Sequence, residues 1–321
     1  MSGDRVPELS IVVVNYNTRE ATSACLRSVL DASPGVDLQL IVVDNGSVDG
    51  SVEAFRERFA QVQVIEAGEN LGFARGVNLG ARAASGAWLL LLNPDTITLP
   101  GSLEALLGFA RTHPEYGVYG GRTLRPDGAV DPSSCWGAPN LWSLAMFATM
   151  ASTAFRHSPI LDPESLGSWP RDTVREVPII TGCLLLVRTE DWERLGGMDE
   201  DYFLYGEDAE FSLRAGRSGL RRVIVPDAVI VHEVGGSSDA GGAKGCMVMA
   251  GKVTLLRKTW SPMRAAIGVR LLVVGVVVRA GDAVDGGLRR PADTVHDHGA
   301  SGRHRLDRDD PEVLDLSLIH I

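Results

Sequence analysis

Asp44, Asp95, Asp208 and His232 lie far apart in a chain of 321 residues, yet each stands at or beside the end of an apolar or aromatic run. Asp44 follows "LIVV" in "LIVVDNGSVDG". Asp95 follows the leucines of "WLLLLNPDTIT", Asp208 belongs to "YFLYGEDAEF", and His232 closes "AVIVH". Polar groups at the carboxyl ends of parallel strands are where open α/β sheets bind ligands. A carboxylate in Asp44's position can accept the imide N–H of uracil or thymine. Asp-Asn-Gly equally suits a tight turn, with Ser47 capping the next helix.

Asp95 has the chemistry of a metal ligand. Mg2+ or Mn2+ bound with a nucleotide needs only one or two protein carboxylates, the diphosphate and water completing the octahedron. The alternative is a turn or cap before a helix beginning near Pro100. His232 is either structural or a neutral imidazole that completes a metal site with Asp95. Glu207, Asp208 and Glu210 fall in the first turn of a helix expected from Glu207, where the helix dipole favours carboxylates. Tyr202, Phe203, Tyr205 and Phe211 surround them, and desolvation by these rings would raise a carboxyl toward a general base's useful range.

The elements that must hold these groups are legible up to about residue 121. "LSIVVV", "LQLIVV", "VQVIE" and "AWLLLL" read as strands, and "REATSACLRSVLDA", "DGSVEAFRERFA" and "ARGVNLGARAAS" as helices. That alternation predicts βαβ units and a mostly parallel sheet. Leu89 to Leu92 form a continuous apolar run, as an interior strand does, and Pro94 ends it. The polar ends "NYNT", "DNGS" and "NPDT" then share one edge, so Asn15, Tyr16, Asn17 and Asn93 are candidate nucleotide contacts beside Asp44. In "GENLGFARGVNLG", Gly68, Gly72, Gly76 and Gly80 recur every four residues. This is neither a Walker loop nor GxGxxG. The spacing suits close backbone approach, with Gly72 at the nucleotide and Asn70 and Arg75 facing it.

Prolines interrupt residues 122–176, which are expected to be irregular. Order returns with "VPIITGCLLLVRT", a helix at "EDWERLG", and strand-like "RRVIVP" and "AVIVH". A glycine-rich connection, "EVGGSSDAGGAKG", leads to the basic and apolar stretch 245–280, which is too interrupted by Arg270 to span a bilayer and is expected to lie on the membrane interface or in the core. Residues 281–321 read as a disordered tail. The final "SLIHI" resembles translated adapter sequence, so the natural C-terminus is expected to lie elsewhere.

A formal charge of -10, from 31 basic and 41 acidic residues, argues against a nucleic-acid partner. Cys25, Cys135, Cys183 and Cys246 form no CxxC pair and read as small buried hydrophobes in a reducing compartment. The N-terminus lacks a secretory pattern, so the protein is expected in the cytoplasm.

Taken in order, these segments resemble the inverting family 2 glycosyltransferases of the GT-A fold, in particular the bacterial rhamnosyltransferase-like branch, over about residues 8 to 260. The resemblance implies a Rossmann-like, mostly parallel central sheet with helices on both faces, in a domain spanning 8–240, followed by a helical membrane-associating segment at 245–280. It implies that Asp44 binds the pyrimidine, Asp95 is the metal carboxylate of a DXD-like motif, Asp208 is the catalytic base, and His232 contacts metal or diphosphate. Gly182, Glu207 and Trp192 are assigned to the acceptor side. Asn93 departs from the family pattern by taking the first DXD position and leaving a single carboxylate. The implied donor is a dTDP- or UDP-sugar, with dTDP-L-rhamnose first. The implied acceptor is a lipid-linked or polysaccharide glycan, and the implied location is peripheral, on the inner face of the cell membrane. A sugar-phosphate nucleotidyltransferase would need a basic glycine-rich loop that "VVVNYNTRE" lacks. A non-catalytic carbohydrate-binding protein would not need the three aspartates together.

Overall fold

A computed structural model describes residues 6–33, 35–232 and 241–288. Residues 1–5, most of the glycine-rich connection (233–240) and the tail from 289 onward lie outside the described residues, and so do the expectations attached to them. The chain begins β1 (Leu9–Asn15), α1 (Arg19–Ala32), β2 (Leu38–Asp44), α2 (Ser51–Arg58), β3 (Val62–Glu66), α3 (Gly72–Ala81) and β4 (Trp88–Leu92). It continues through β5 (Thr96–Thr98), α4 (Ser102–Thr112), β6 (Val118–Leu124), β7 (Cys135–Trp136), α5 (Leu141–Ala148) and α6 (Ala151–Ala154). The last part holds β8 (Arg175–Glu176), β9 (Ile179–Ile180), β10 (Leu184–Arg188), α7 (Thr189–Leu195), α8 (Glu207–Arg217), β11 (Arg222–His232), α9 (Gly241–Thr259) and α10 (Pro262–Leu288).

Among the described residues the main sheet has nine strands in the order β3-β2-β1-β4-β10-β6-β11-β5, with β8 beside β11. β1 to β4, β6 and β11 point one way; β5, β8 and β10 are reversed. The sheet is therefore mostly parallel, as a GT-A sheet is. Leu89 to Leu92 are buried on both faces, between β1 and β10. Each buried leucine contributes roughly 1.5–3 kcal/mol relative to an exposed one. Two apolar layers cover the sheet, one with α1, α2 and α4, the other with α3, α7 and α8.

One topological feature sets the site. Four strand spacings separate β4 from β5 in the sheet order, roughly 19 Å if the sheet were flat. Only Asn93, Pro94 and Asp95 join them, a path that can span at most roughly 14 Å from Leu92 to Thr96. The sheet must therefore curl, and β11 is the strand that brings its far side round. "RRVIVP" and "AVIVH", read separately in the sequence, form one strand whose register on β6 shifts between Val225 and Val229. Pro226 cannot donate to the ladder, so the chain bulges there, and bulges bend strands. Beyond the bend His232 pairs with Thr96 of β5.

The segment 122–176 carries more structure than its prolines suggest. Pro132 and Pro163 open 3-10 turns, and α5 starts with a capping box in which Asn140 and Ser143 satisfy each other's backbone N–H. α5 packs on the C-terminal helices around Leu144, Leu256 and Leu272. α10 continues to Leu288, past the expected start of the tail at 281. Cys25, Cys135 and Cys183 are buried as expected, but Cys246 is exposed on α9.

The curl requires Gly121. A Cβ there would meet the Ala228 carbonyl oxygen and Leu184 Cδ2, each at 2.3 Å. Gly121→Ala should cost about 1–3 kcal/mol through overpacking, measured by urea unfolding; wild-type stability would show that the bend has slack.

Candidate active site

At the ends of β1 and β2, Asn15 and Asp44 are paired neighbours. Asp44 is 2% exposed. Its Oδ2 accepts from Asn15 Nδ2 at 2.7 Å and its Oδ1 from the Ser47 amide at 2.9 Å. Asn15 Nδ2 also donates to Ser47 Oγ, while its Oδ1 accepts from Thr18 and Thr22. Asn15 is thus fully buried and committed to holding Asp44 and the start of α1. Asn17 adopts a left-handed conformation, φ 53°, and receives the Val48 amide on its Oδ1. Tyr16 remains with its ring about half exposed, 47%. A hollow of about 280 Å³ opens beside this turn, lined by Asn17, Thr18, Arg19 and Asp49 among others.

α3 lies against the same strand ends, and its glycines are what let it approach. A Cβ at Gly80 would sit 2.5 Å from Val12, one at Gly76 3.0 Å from Val14, and one at Gly72 2.3 Å from the Phe203 carbonyl oxygen. Glycines inside a helix cost roughly 1 kcal/mol each relative to alanine. Here the close contacts forbid the alternative. Gly68 meets nothing within 4 Å, so the four-residue spacing serves packing at only three of its four members. Asn70 is exposed, and its Oδ1 accepts from the Gly72 amide at 3.0 Å. Arg75 is exposed and pairs loosely with Glu200 at 3.6 Å, an interaction that solvent screens.

Where β11 meets β5, His232 Nε2 lies 3.2 Å from Asp95 Oδ1, and its Nδ1 lies 3.6 Å from Asp131 Oδ2. Asp131 has no periodic or motif signal in the sequence; its visible trace is an Asp before Pro132, where its side chain caps the 3-10 turn through the Ser133 amide. Burial alone would lower the imidazole's pKa. Asp131 and Asp95 on its two sides more than reverse this and lift it to about 9. Burial likewise pushes Asp131 up, but His232 and Ser133 outweigh it and hold the carboxyl at about 2. Asp131 Oδ2 and His232 Nδ1 are both buried without a hydrogen-bond partner. Among the described residues no three or more His, Cys, Asp or Glu converge on one ion position. Asp95, with the His232 ring once its Nε2 proton is displaced, fits a divalent ion that takes its other ligands from phosphate and water.

Asp208 stands in the first turn of α8. Its Oδ2 accepts from the Gly182 amide at 3.2 Å and its Oδ1 from the Ala209 amide at 2.7 Å. Glu207 beside it is buried, and its Oε2 has no partner. Burial raises both carboxyls, and the Asp208 charge raises Glu207 further, to about 8. With two backbone donors on Asp208 and none on Glu207's orphaned oxygen, the negative charge belongs on Asp208 and the proton on Glu207. The aromatic shell is incomplete: Tyr202 and Phe211 are buried, while Phe203 is exposed.

Short backbone links connect these groups. The Asn93 amide donates to the Cys183 carbonyl, next to the Gly182 that holds Asp208. The Cys183 thiol, pushed up to about 11 chiefly by burial, also feels the carboxylates of Asp208 and Asp131. The Tyr205 phenol, raised first by burial, feels Glu207 and Asp95. Trp192 is not among these groups. It is 5% exposed and packs on Phe211 with ring centroids 5.0 Å apart, because the apolar face of α7 turns it into the core. It is a core residue.

The family model described as "Glycosyl transferase family 2" matches residues 10–160. The chain is 31% identical over 243 residues to the N-acetylglucosaminyl-diphospho-decaprenol L-rhamnosyltransferase of Mycobacterium tuberculosis, covering 70% of this chain and 75% of that protein. Among solved structures it is similar to a Pyrobaculum calidifontis mannosyltransferase in complex with GDP-Man and Mn2+. That match has a TM-score of 0.55 and 19% identity, covering 88% of this chain and 76% of the other. It is also similar to GalNAc-T7 with UDP, GalNAc and Mn2+, at a TM-score of 0.58 and 15% identity, covering 81% and 49%. At these identities the two structures establish a shared fold.

Glu207 makes stability depend on pH. Its carboxyl lies near 8 in the folded protein against an ordinary 4.5, so between these values the folded chain holds a proton that the unfolded chain releases. The stabilisation is full below about 4.5 and is lost as pH rises through about 8. Urea unfolding from pH about 5 to about 9 should show a shallower decline for Glu207→Gln than for wild type. Parallel curves would remove the proton from Glu207.

Proposed function

The chain belongs to glycosyl transferase family 2 and is of its rhamnosyltransferase type, and on that premise we propose that it inverts the anomeric centre of L-rhamnose while moving it from dTDP-L-rhamnose to a hydroxyl of a lipid-linked glycan. The observation that carries this reading is Asp208 at the start of α8, held by the Gly182 amide and joined through Cys183 to the strand end that leads to Asp95. The M. tuberculosis relative is named for an N-acetylglucosaminyl-diphospho-decaprenol acceptor, and an acceptor of that class would put the work on the inner face of the cell membrane.

In the proposed reaction Asp208 takes the proton of the acceptor hydroxyl. The freed oxygen pair forms the new bond to the anomeric carbon from the face opposite the nucleotide. The carbon–oxygen bond to the diphosphate breaks, and the diphosphate leaves with the electron pair. Asp44 receives the imide N–H of the pyrimidine, with Tyr16 beside it as an exposed ring. Asp95 and His232 would hold Mg2+ or Mn2+, which when bound offsets the charge that the leaving diphosphate gains. Asp131 fixes the far side of the His232 ring, and Glu207, being neutral, lets Asp208 keep its charge in a buried place.

Asp208→Asn should leave donor binding nearly intact and lower kcat roughly 10²–10⁴-fold. Equal losses in donor affinity and turnover would move Asp208 out of the base role. A panel of nucleotide sugars, with and without Mn2+, should raise the melting temperature most for dTDP-L-rhamnose with metal, since ligands that bind only the folded state stabilise it. Asp95→Ala should erase the metal-dependent part of that rise; a rise independent of Mn2+ in both proteins would exclude the assigned cation site.

A further inference from the structure

We propose that the outer face of α10 docks on an anionic lipid bilayer, with the helix lying in the plane of the interface. Such a surface serves the lipid-linked acceptor proposed above and rests on that reading for its purpose. The inner face of α10 is already used. Ala265 and Leu272 are buried, and the backbone at Gly268 and Gly275 comes so close that a Cβ would meet Trp260 at 2.7 Å and Phe147 at 2.4 Å. The opposite face is apolar and open. Met263 is 77% exposed, Ile267 43%, Val274 50% and Val277 58%. With Arg270 these residues recur at intervals of four and three, one stripe along a helix, over roughly 21 Å of its length. A soluble helix that had buried its apolar side would present polar residues here.

Charge decides the occupant. Residues 241–288 contain seven Lys and Arg against two acidic residues, Asp282 and Asp285 in the last turns of α10, in a chain whose net charge is -10. Some of that charge is spent inward: Lys252 bonds Glu164 at 2.6 Å, Lys258 bonds Asp199 at 2.5 Å, and Arg279 donates to the Phe147 carbonyl. Arg264 and Arg270 instead share the exposed side with the apolar stripe. Arg264 stacks on Trp260, and neither arginine has an ion pair among the described residues. Two unpaired arginines amid valine and isoleucine match a surface that is apolar within and anionic at its edge. A symmetric second copy would bring like charges together. No helix among the described residues is long and apolar enough to cross a membrane, so the orientation is parallel to the surface.

The test is co-sedimentation of the full chain with vesicles of phosphatidylcholine alone or mixed with phosphatidylglycerol, without nucleotide sugar or acceptor. Wild type should partition to the mixed vesicles. The double variant Ile267→Asp, Val274→Asp should lower the partition coefficient about tenfold or more, and Arg270→Glu should reduce the preference for anionic lipid. All three positions are exposed, so unchanged melting temperatures will show that folding is intact. No wild-type partitioning, or equal partitioning to both vesicle types, overturns the proposal. So does a concentration-dependent dimer in light scattering that the double variant abolishes while vesicle binding is unaltered, since the face then belongs to a second copy. Transfer to a short-chain, water-soluble acceptor is read separately: its absence in wild type counts against the transferase reading, and its presence in the double variant is expected.

Discussion

The pairing of His232 with Thr96 is the constraint on which the candidate active site depends. A three-residue link forces β5 to lie close to β4, although the order of the sheet places them four strands apart. Only a curled sheet satisfies both conditions, and the bulge in β11 supplies the bend. The imidazole therefore reaches Asp95 because the backbone ladder leaves it no other place. Its position is decided by main-chain geometry before any side chain contributes.

Around that edge the protein gathers carboxylates that would repel one another, and it treats each differently. Asp44 is satisfied by an asparagine and a backbone amide. Asp131 is matched by the His232 ring and a turn amide. Asp208 has two peptide N–H groups at a helix start, where the dipole favours a negative charge. Glu207 has no donor for its buried oxygen and keeps its proton. For Asp131, Asp208 and Glu207, donor supply decides which is favoured as the charged form, because all three are at least partly removed from water.

The local half of this arrangement was legible in the sequence. β1, β2 and β4 announce themselves as apolar runs with polar ends, and α8 begins at Glu207, where its acidic first turn says it should. Asp44 and Asp95 follow from those ends. What escaped is non-local. "RRVIVP" and "AVIVH" are one strand because β6 runs along both halves, which no window of sequence contains. Asp131 acts through a histidine about a hundred residues away. The packing of Trp192 on Phe211 joins two helices that are separate in the sequence. α5 was hidden by a capping box that uses Ser143 where Glu or Gln is the usual signal. Asn15 was grouped with its neighbours by position, and its bracing of Asp44 appears only once β1 and β2 pair.

The contact between α3 and the loop before α8 has a further meaning. Phe73 donates its amide to the Phe203 carbonyl at 2.8 Å, directly beside the Gly72 that allows the approach. A join made of peptide groups is blind to which side chains flank it. Substitutions on the surrounding surface would leave this join in place, and with it the spacing between α3 and the loop leading to Asp208. What the spacing leaves no room for is a methyl group in place of the hydrogen atom at Gly72.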